Sequence, residues 1–171
     1  MSELSTEEVS QFVSFRLGDE IFAVEVNQVR EILELSPITL VPTAEPHLQG
    51  LVNVRGRVVP VADMGLVFGL GACKCGEDTR ILVMELPREA GAVTIGCLTD
   101  EVLDVVSLSR EMTMPPPKIA MRWRSEWIRA VAEVNDRFVI ILDMDAVFLG
   151  DNLKSINEKE QLGPEMAAAG V

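Results

Sequence analysis

Four residues in this chain have the side chains that bind zinc: Cys73, Cys75, Cys97 and His47, the only histidine. Together they could make a Cys3His site, structural or at the heart of a small metal- or ligand-binding enzyme. The spacing argues against it. Cys73 and Cys75 have one residue between them, where zinc pairs usually have two to four, and the other two ligands are scattered. Reduced bystander thiols are the favoured reading, because an odd cysteine count does not make a disulfide framework. A nucleophile triad needs a base, and His47 sits in a proline-flanked loop without an evident acid partner. Gly69-Leu70-Gly71 suggests a phosphate loop, but no Lys-Ser/Thr follows it and no long helix is expected there. Asp143-Met144-Asp145 resembles a D-x-D metal pair. No catalytic residue, metal or cofactor is assigned, and the chain reads as a non-enzyme.

The residue left without a plain structural duty is Arg55. It lies in residues 50–64, GLVNVRGRVVPVADM, two short β-branched runs around Arg55-Gly56. Such a pattern predicts a β-hairpin. The stretch recurs 80 residues later: Asp63-Met64 falls on Asp143-Met144, Val54 on Val134, Arg57 on Arg137, Val59 on Val139 and Phe68 on Phe148. Residues 12–17, FVSFRL, likewise echo residues 81–86, ILVMEL. A long internal period marks a repeated structural unit. Two copies make a duplicated pair of small β units, not a solenoid.

The two copies can be compared with each other. In the second, Asn53-Val54-Arg55-Gly56 becomes Glu133-Val134-Asn135-Asp136. Asn-Asp is good turn chemistry, so the turn does not need an arginine. A multi-donor guanidinium is a favoured interface anchor, which points Arg55 to binding. Asn53 could bond across its own turn. Glu31 could be an edge-strand charge that discourages unwanted pairing. The second acid of Asp143-Met144-Asp145 corresponds to Gly65, so it lies outside the shared pattern, and helix capping explains the first Asp in both copies.

These residues need elements to hold them. Residues 11–17 alternate, Gly18-Asp19 turns, and 21–24 returns as a strand. Val26, Val29 and Leu33 fit a short helix or bent strand. Pro37, Pro42 and Pro46 exclude a long helix before the hairpin. Asp63 and Asp143 each begin a one-turn helix. Residues 69–78 form a polar loop at the seam between copies. Residues 80–86 and 93–98 are strands, and 100–108 matches the bent element of the first copy. Residues 112–118, with three prolines, are extended. Met112 and Met114 could be contact surface or core filling. Trp123 and Trp127, beside Arg122 and Arg124, form an amphipathic segment with some interface character.

The expected fold class is mainly β: two pseudo-repeated, five-stranded SH3-like β-barrel subdomains with short helices. Residues 10–150 form one unit, with a first barrel over about 18–78. The second covers about 79–150 with the N-terminal strand added. Residues 1–9 and 151–171 are expected to be flexible tails. A content of 48% hydrophobic residues calls for two such units packed together, because a five-stranded barrel alone buries only a modest core. No run of about 18 apolar residues exists, so no membrane helix is expected, and the acidic N-terminus is not a secretory signal. A net charge of −12 suits neither nucleic acid nor an anionic lipid surface.

The same residues carry a family resemblance. GLVNVRGRVVPVADM resembles the hairpin of CheW-family proteins, the coupling adaptors of bacterial chemotaxis. The resemblance extends over about residues 10–150, including FVSFRLGDEIFAVEV, VREI, DEVLDVVSLS and NDRFVIILDMD. It implies that the two barrels are intertwined and that the protein is a cytoplasmic scaffold recruited to membrane-associated receptor arrays. The implied partners are the cytoplasmic tip of chemoreceptors (methyl-accepting chemotaxis proteins) and the regulatory domain of a CheA-type histidine kinase. Receptor binding carries over to Arg55, Asn53, Val29 and Glu31. Kinase contacts would use barrel ends, with no residue assigned. The chain departs from the family in having Gly65 after Asp63-Met64, Ala130 and Ala132 for glycines, and the Cys73-x-Cys75 loop. A related alternative is the same adaptor in a non-flagellar motility or surface-behaviour pathway.

Overall fold

A computed structural model describes residues 9–42, 47–89, 91–116 and 125–148. The expected tails, except Val9, and the patch at Arg122, Trp123 and Arg124 lie outside these residues. Among the described residues, twelve strands and two one-turn α-helices, with three short 3-10 turns between strands, run in order: β1 Val9–Leu17, β2 Glu20–Glu25, β3 Val29–Glu34, β4 Thr39–Leu40, β5 Leu48–Val54, β6 Arg57–Asp63, helix Met64–Val67, β7 Arg80–Leu86, β8 Val93–Thr99, β9 Glu101–Ser109, β10 Thr113–Met114, β11 Ile128–Val134, β12 Arg137–Leu142, helix Met144–Val147. The expected mainly β class with short helices is what the structure has. Val9, expected in the tail, opens β1 because it pairs with Ser109.

The strands make two six-stranded sheets. One is ordered β10-β11-β12-β2-β1-β9, the other β4-β5-β6-β8-β7-β3. The sixth strand of each, beyond the expected five, is a two-residue edge strand in the proline-containing segments. The orders match position by position, as the sequence repeat requires. Each copy divides between sheets: β1 and β2 join β9–β12, while β7 and β8 join β3–β6. The loop at 69–78, expected as a seam, therefore links β6 and β7 of one sheet, and both of those strands pair with β8. The joins between copies are parallel in both sheets, β12 with β2 and β6 with β8. All other pairs are antiparallel.

This exchange explains the apolar composition. Strands at the joins, and those beside them, are covered on both faces. In β12, Val139 and Ile141 pack in one cluster with Phe12, Ile21 and Leu108. Their neighbours Ile140 and Leu142 face a larger cluster with Phe15, Phe22, Phe68 and Trp127. In β7, Ile81 and Val83 pack with Val52, Val59 and Val61, while Leu82 and Met84 face the larger cluster. Each sheet thus has its own interior, and one core joins the two. Strands buried on both faces read as continuous apolar runs, not alternation. Aromatic contacts bridge the sheets: Phe22 stacks on Phe68 at 5.0 Å, and Phe68 meets Trp127 edge-on at 5.6 Å. Trp127 belongs to this core.

Pro60, which has no N–H to donate, breaks the ladder on one side of β6 and leaves the other side paired. Counting back from the Val54–Arg57 pair at the turn, Pro60 opposes Leu51 at a non-hydrogen-bonded position. Its nitrogen faces β8, where pairing begins only at Val61.

Candidate functional site

Arg55 and Gly56 form the tip of the β5–β6 hairpin with φ of 52° and 83°. Two left-handed residues in a two-residue loop define a type I′ turn, whose twist suits the flanking strands. Glycine takes this conformation freely, whereas arginine does so at a cost of about 1 kcal/mol. The sister turn uses Asn135 and Asp136, at 51° and 64°, and those residues tolerate it better. The structure supports the comparison drawn from the repeat: Arg55 occupies a position that the turn would fill better with another residue.

Asn53 has the local role anticipated for it. Its Oδ1 accepts a hydrogen bond from the Gly56 N–H at 2.8 Å, closing the turn. Glu31 comes from β3, the far edge of the same sheet. Its Oε2 lies 3.3 Å from Arg55 Nε. The guanidinium nevertheless remains 82% exposed, so this pair contributes little to stability; what it does is orient the arginine. Val29 is farther along β3. It is half-buried and packs on the shared core. Strand β3 alternates half-buried and exposed residues, so Val29 and Glu31 share a face despite the bulge between them. The fold therefore joins Arg55 to Glu31, leaves Asn53 at the base of their turn, and sets Val29 into the core margin.

Two arginines that the sequence reading did not single out complete the surface. Arg30 and Arg57 stand with Arg55 around a shallow depression of about 100 Å³ floored by Val54, Val59 and Val83. Arg30 is tied to Glu85 at 2.6 Å. Arg57 had a legible signal, because it follows the turn directly. Arg30 did not: only the antiparallel pairing of β3 with β7 brings it there. Three cations over an apolar floor, in a chain of net charge −12, form a local surface able to accept an acidic or mixed apolar partner segment.

The zinc reading finds no such convergence. Cys97 is buried in the shared core, Cys75 is exposed and Cys73 half-buried. No group of three or more His, Cys, Asp or Glu residues able to hold a metal is assembled among the described residues. Burial pushes the Cys97 thiol's pKa up, and burial together with neighbouring Asp100 does the same for Cys73. Asp63 caps its helix, accepting from Gly65 N at 2.9 Å and Leu66 N at 3.3 Å, and also from Cys73 N at 2.9 Å. Asp143 caps the other helix through Ala146 N at 3.1 Å. Capping thus accounts for the first acid of each Asp-Met pair.

With no catalytic constellation in view, the hairpin and the exchanged sheets carry the comparison with known proteins. The family description "CheW-like domain" matches residues 11–150. The chain belongs to the CheW-like family. Within it, this CheW-like chain is similar to the chemotaxis protein CheW of Rhizobium meliloti strain 1021, at 30% identity over 138 residues, 81% of this chain and 86% of the relative. It is similar also to the chemotaxis protein CheW of Helicobacter pylori, at 30% over 145 residues and 85% of each chain. The crystal structure of the scaffolding protein TtCheW from Thermoanaerobacter tengcongensis shares the fold, with a TM-score of 0.74, 24% identity, and coverage of 85% of this chain and 91% of that one. No helix among the described residues is long and apolar enough to cross a membrane.

Proposed function

We propose that this CheW-like chain is a non-catalytic adaptor of bacterial chemotaxis, coupling the cytoplasmic tip of chemoreceptors to the regulatory domain of a CheA-type histidine kinase. The observation that carries the reading is Arg55: an exposed guanidinium, oriented by Glu31, at a turn position where it is conformationally disfavoured. Strain kept at a surface turn calls for a reason outside folding. The names of the relatives supply the pathway, and the family resemblance supplies the partners. Arg55, Asn53, Val29 and Glu31 form the receptor-binding site, in which Arg55 and Glu31 make contact, Asn53 shapes the turn and Val29 sets the margin of β3. Residues 10–150 act as one domain, its two sheets closing as SH3-like barrels around the common core. The protein works in the cytoplasm, recruited to receptor arrays at the membrane.

A pull-down with wild type and Arg55→Ala as baits tests the reading. Wild type recovers both a histidine kinase and chemoreceptors. Arg55→Ala recovers the kinase but loses receptor affinity by about 2 kcal/mol, the range of an interface anchor. Unchanged receptor recovery by the variant would remove the site from the hairpin. Failure of wild type to recover either partner would overturn the coupling reading itself.

A further inference from the structure

The Cys73-x-Cys75 loop is not used by the hairpin site, and its setting is specific. It follows the helix Met64–Val67 and leads into β7. Cys75 is exposed and Cys73 half-buried, and the Cys75 sulfur folds back to 3.9 Å from the Cys73 carbonyl oxygen. Cys73 is anchored twice. Its N–H donates to Asp63 Oδ2 at 2.9 Å, and its thiol lies against the Asp100 carboxylate. Open space lies beside the loop's glycines: a Cβ added at Gly69, Gly71 or Gly76 would meet nothing within 4 Å. The third thiol, Cys97, is sealed in the core.

We infer that Cys73 and Cys75 are a redox-sensitive modification site, forming a reversible disulfide within one chain when a peroxide reaches the exposed thiol. Hydrogen peroxide transfers one oxygen to the Cys75 sulfur, giving a sulfenic acid and one water. The Cys73 sulfur then attacks that sulfur, forming the S–S bond. The hydroxyl leaves with the Cys73 proton as a second water. Two thiols are oxidised by two electrons in all, and one peroxide is reduced to two waters. A ring closed over a single intervening residue is constrained. Constrained, exposed disulfides are the readily reduced ones, so the bond returns to two thiols under a thiol reductant.

The consequence lies at Asp100. Its Oδ2 accepts from Gly18 N at 2.7 Å and lies 3.7 Å from Arg16 Nη1. Asp100 therefore binds the β1–β2 turn of one sheet to the 69–78 loop of the other. Turning the Cys73 sulfur toward Cys75 takes the thiol off Asp100 and leaves the Lys74 N–H as the loop's remaining bond to that carboxylate.

The experiment treats the reduced, full-length protein with hydrogen peroxide and maps the peptides without reductant. Lys74 separates the two cysteines, so trypsin places them in different peptides that only a disulfide holds together. The expected result is that linked pair, from a monomeric product, reversed by dithiothreitol, with the Cys97 thiol intact. Cys75→Ser should slow the loss of the Cys73 thiol by about tenfold or more, since the exposed sulfur reacts first. Oxygen added to Cys75 with Cys73 still a free thiol would overturn the proposal. So would a disulfide that joins two chains. Wild type alone decides between these outcomes, whether or not the serine variant folds.

Discussion

Arg55 is a residue whose stability and binding effects should have opposite signs. At φ 52° asparagine is better tolerated than arginine. Arg55→Asn should raise stability in chemical denaturation by about 0.5–1 kcal/mol, while weakening receptor recovery as Arg55→Ala does. Equal or lower stability would mean that the pairing with Glu31 outweighs the turn strain. The two capping aspartates make a second residue-scale test. Asp63 is buried and accepts three backbone N–H groups, whereas Asp143 is exposed and accepts one. Loss of a cap costs about 1 kcal/mol, and each buried donor left unpaired adds to that. Asp63→Ala should therefore cost about 2–4 kcal/mol, and Asp143→Ala about 1 kcal/mol, as read from urea midpoints. Comparable losses at both sites would show that the Cys73 anchorage carries no weight.

At the scale of elements, Asp100 decides how the β1–β2 turn meets the 69–78 loop. Burial works against its charge. The hydrogen bond from Gly18 N, the Cys73 thiol and the Arg16 guanidinium outweigh that effect and hold its carboxyl below the ordinary 3.8. A lowered folded value means that the ionised form stabilises the fold above the ordinary value, and that this contribution is lost as pH falls through the folded one. Asp100→Asn should thus be less stable than wild type at neutral pH, with the gap narrowing below pH 3.8. A gap that is constant with pH, in denaturation curves taken across that range, would assign the loss to packing instead of charge. The hairpins show how far local sequence reaches at this scale. Both turns and both caps were legible, because each depends on residues within a few positions. Which ladder Pro60 spares was not, because that depends on which neighbour its nitrogen faces. Arg30 was missed for a similar reason: its place beside Arg55 is set by the pairing of β3 with β7.

The molecule as a whole is held by exchange. Each sheet takes two strands from one half of the chain and four from the other, and the largest core cluster draws on both. Neither half contains a complete sheet. Residues 9–78 and 79–148, expressed separately, should each lack cooperative unfolding, and the intact chain should melt in a single transition by both near- and far-ultraviolet circular dichroism. A half that folds alone, or two separate transitions, would mean that the sheets are independent units. The same architecture suits a coupling role: a rigid pair of sheets can present the hairpin arginine at one place while leaving other surface to a second partner.

The sequence by itself determined the duplicated β pattern, the hairpin with its unneeded arginine, the capping aspartates and membership of the family. Family membership rests on the resemblance over residues 10–150; the others rest on short-range rules, because alternation, turn chemistry and spacing are written in consecutive residues. Only the tertiary structure decided which strands the copies trade, that Glu31 meets Arg55, that Arg30 and Arg57 join them, and that Asp100 ties a turn to a distant loop. A periodic strand states which of its faces must be buried, but not what will bury it. Parallel joins such as β6 with β8 connect segments dozens of residues apart, and their partners are chosen by which packing of the whole chain covers the most apolar surface.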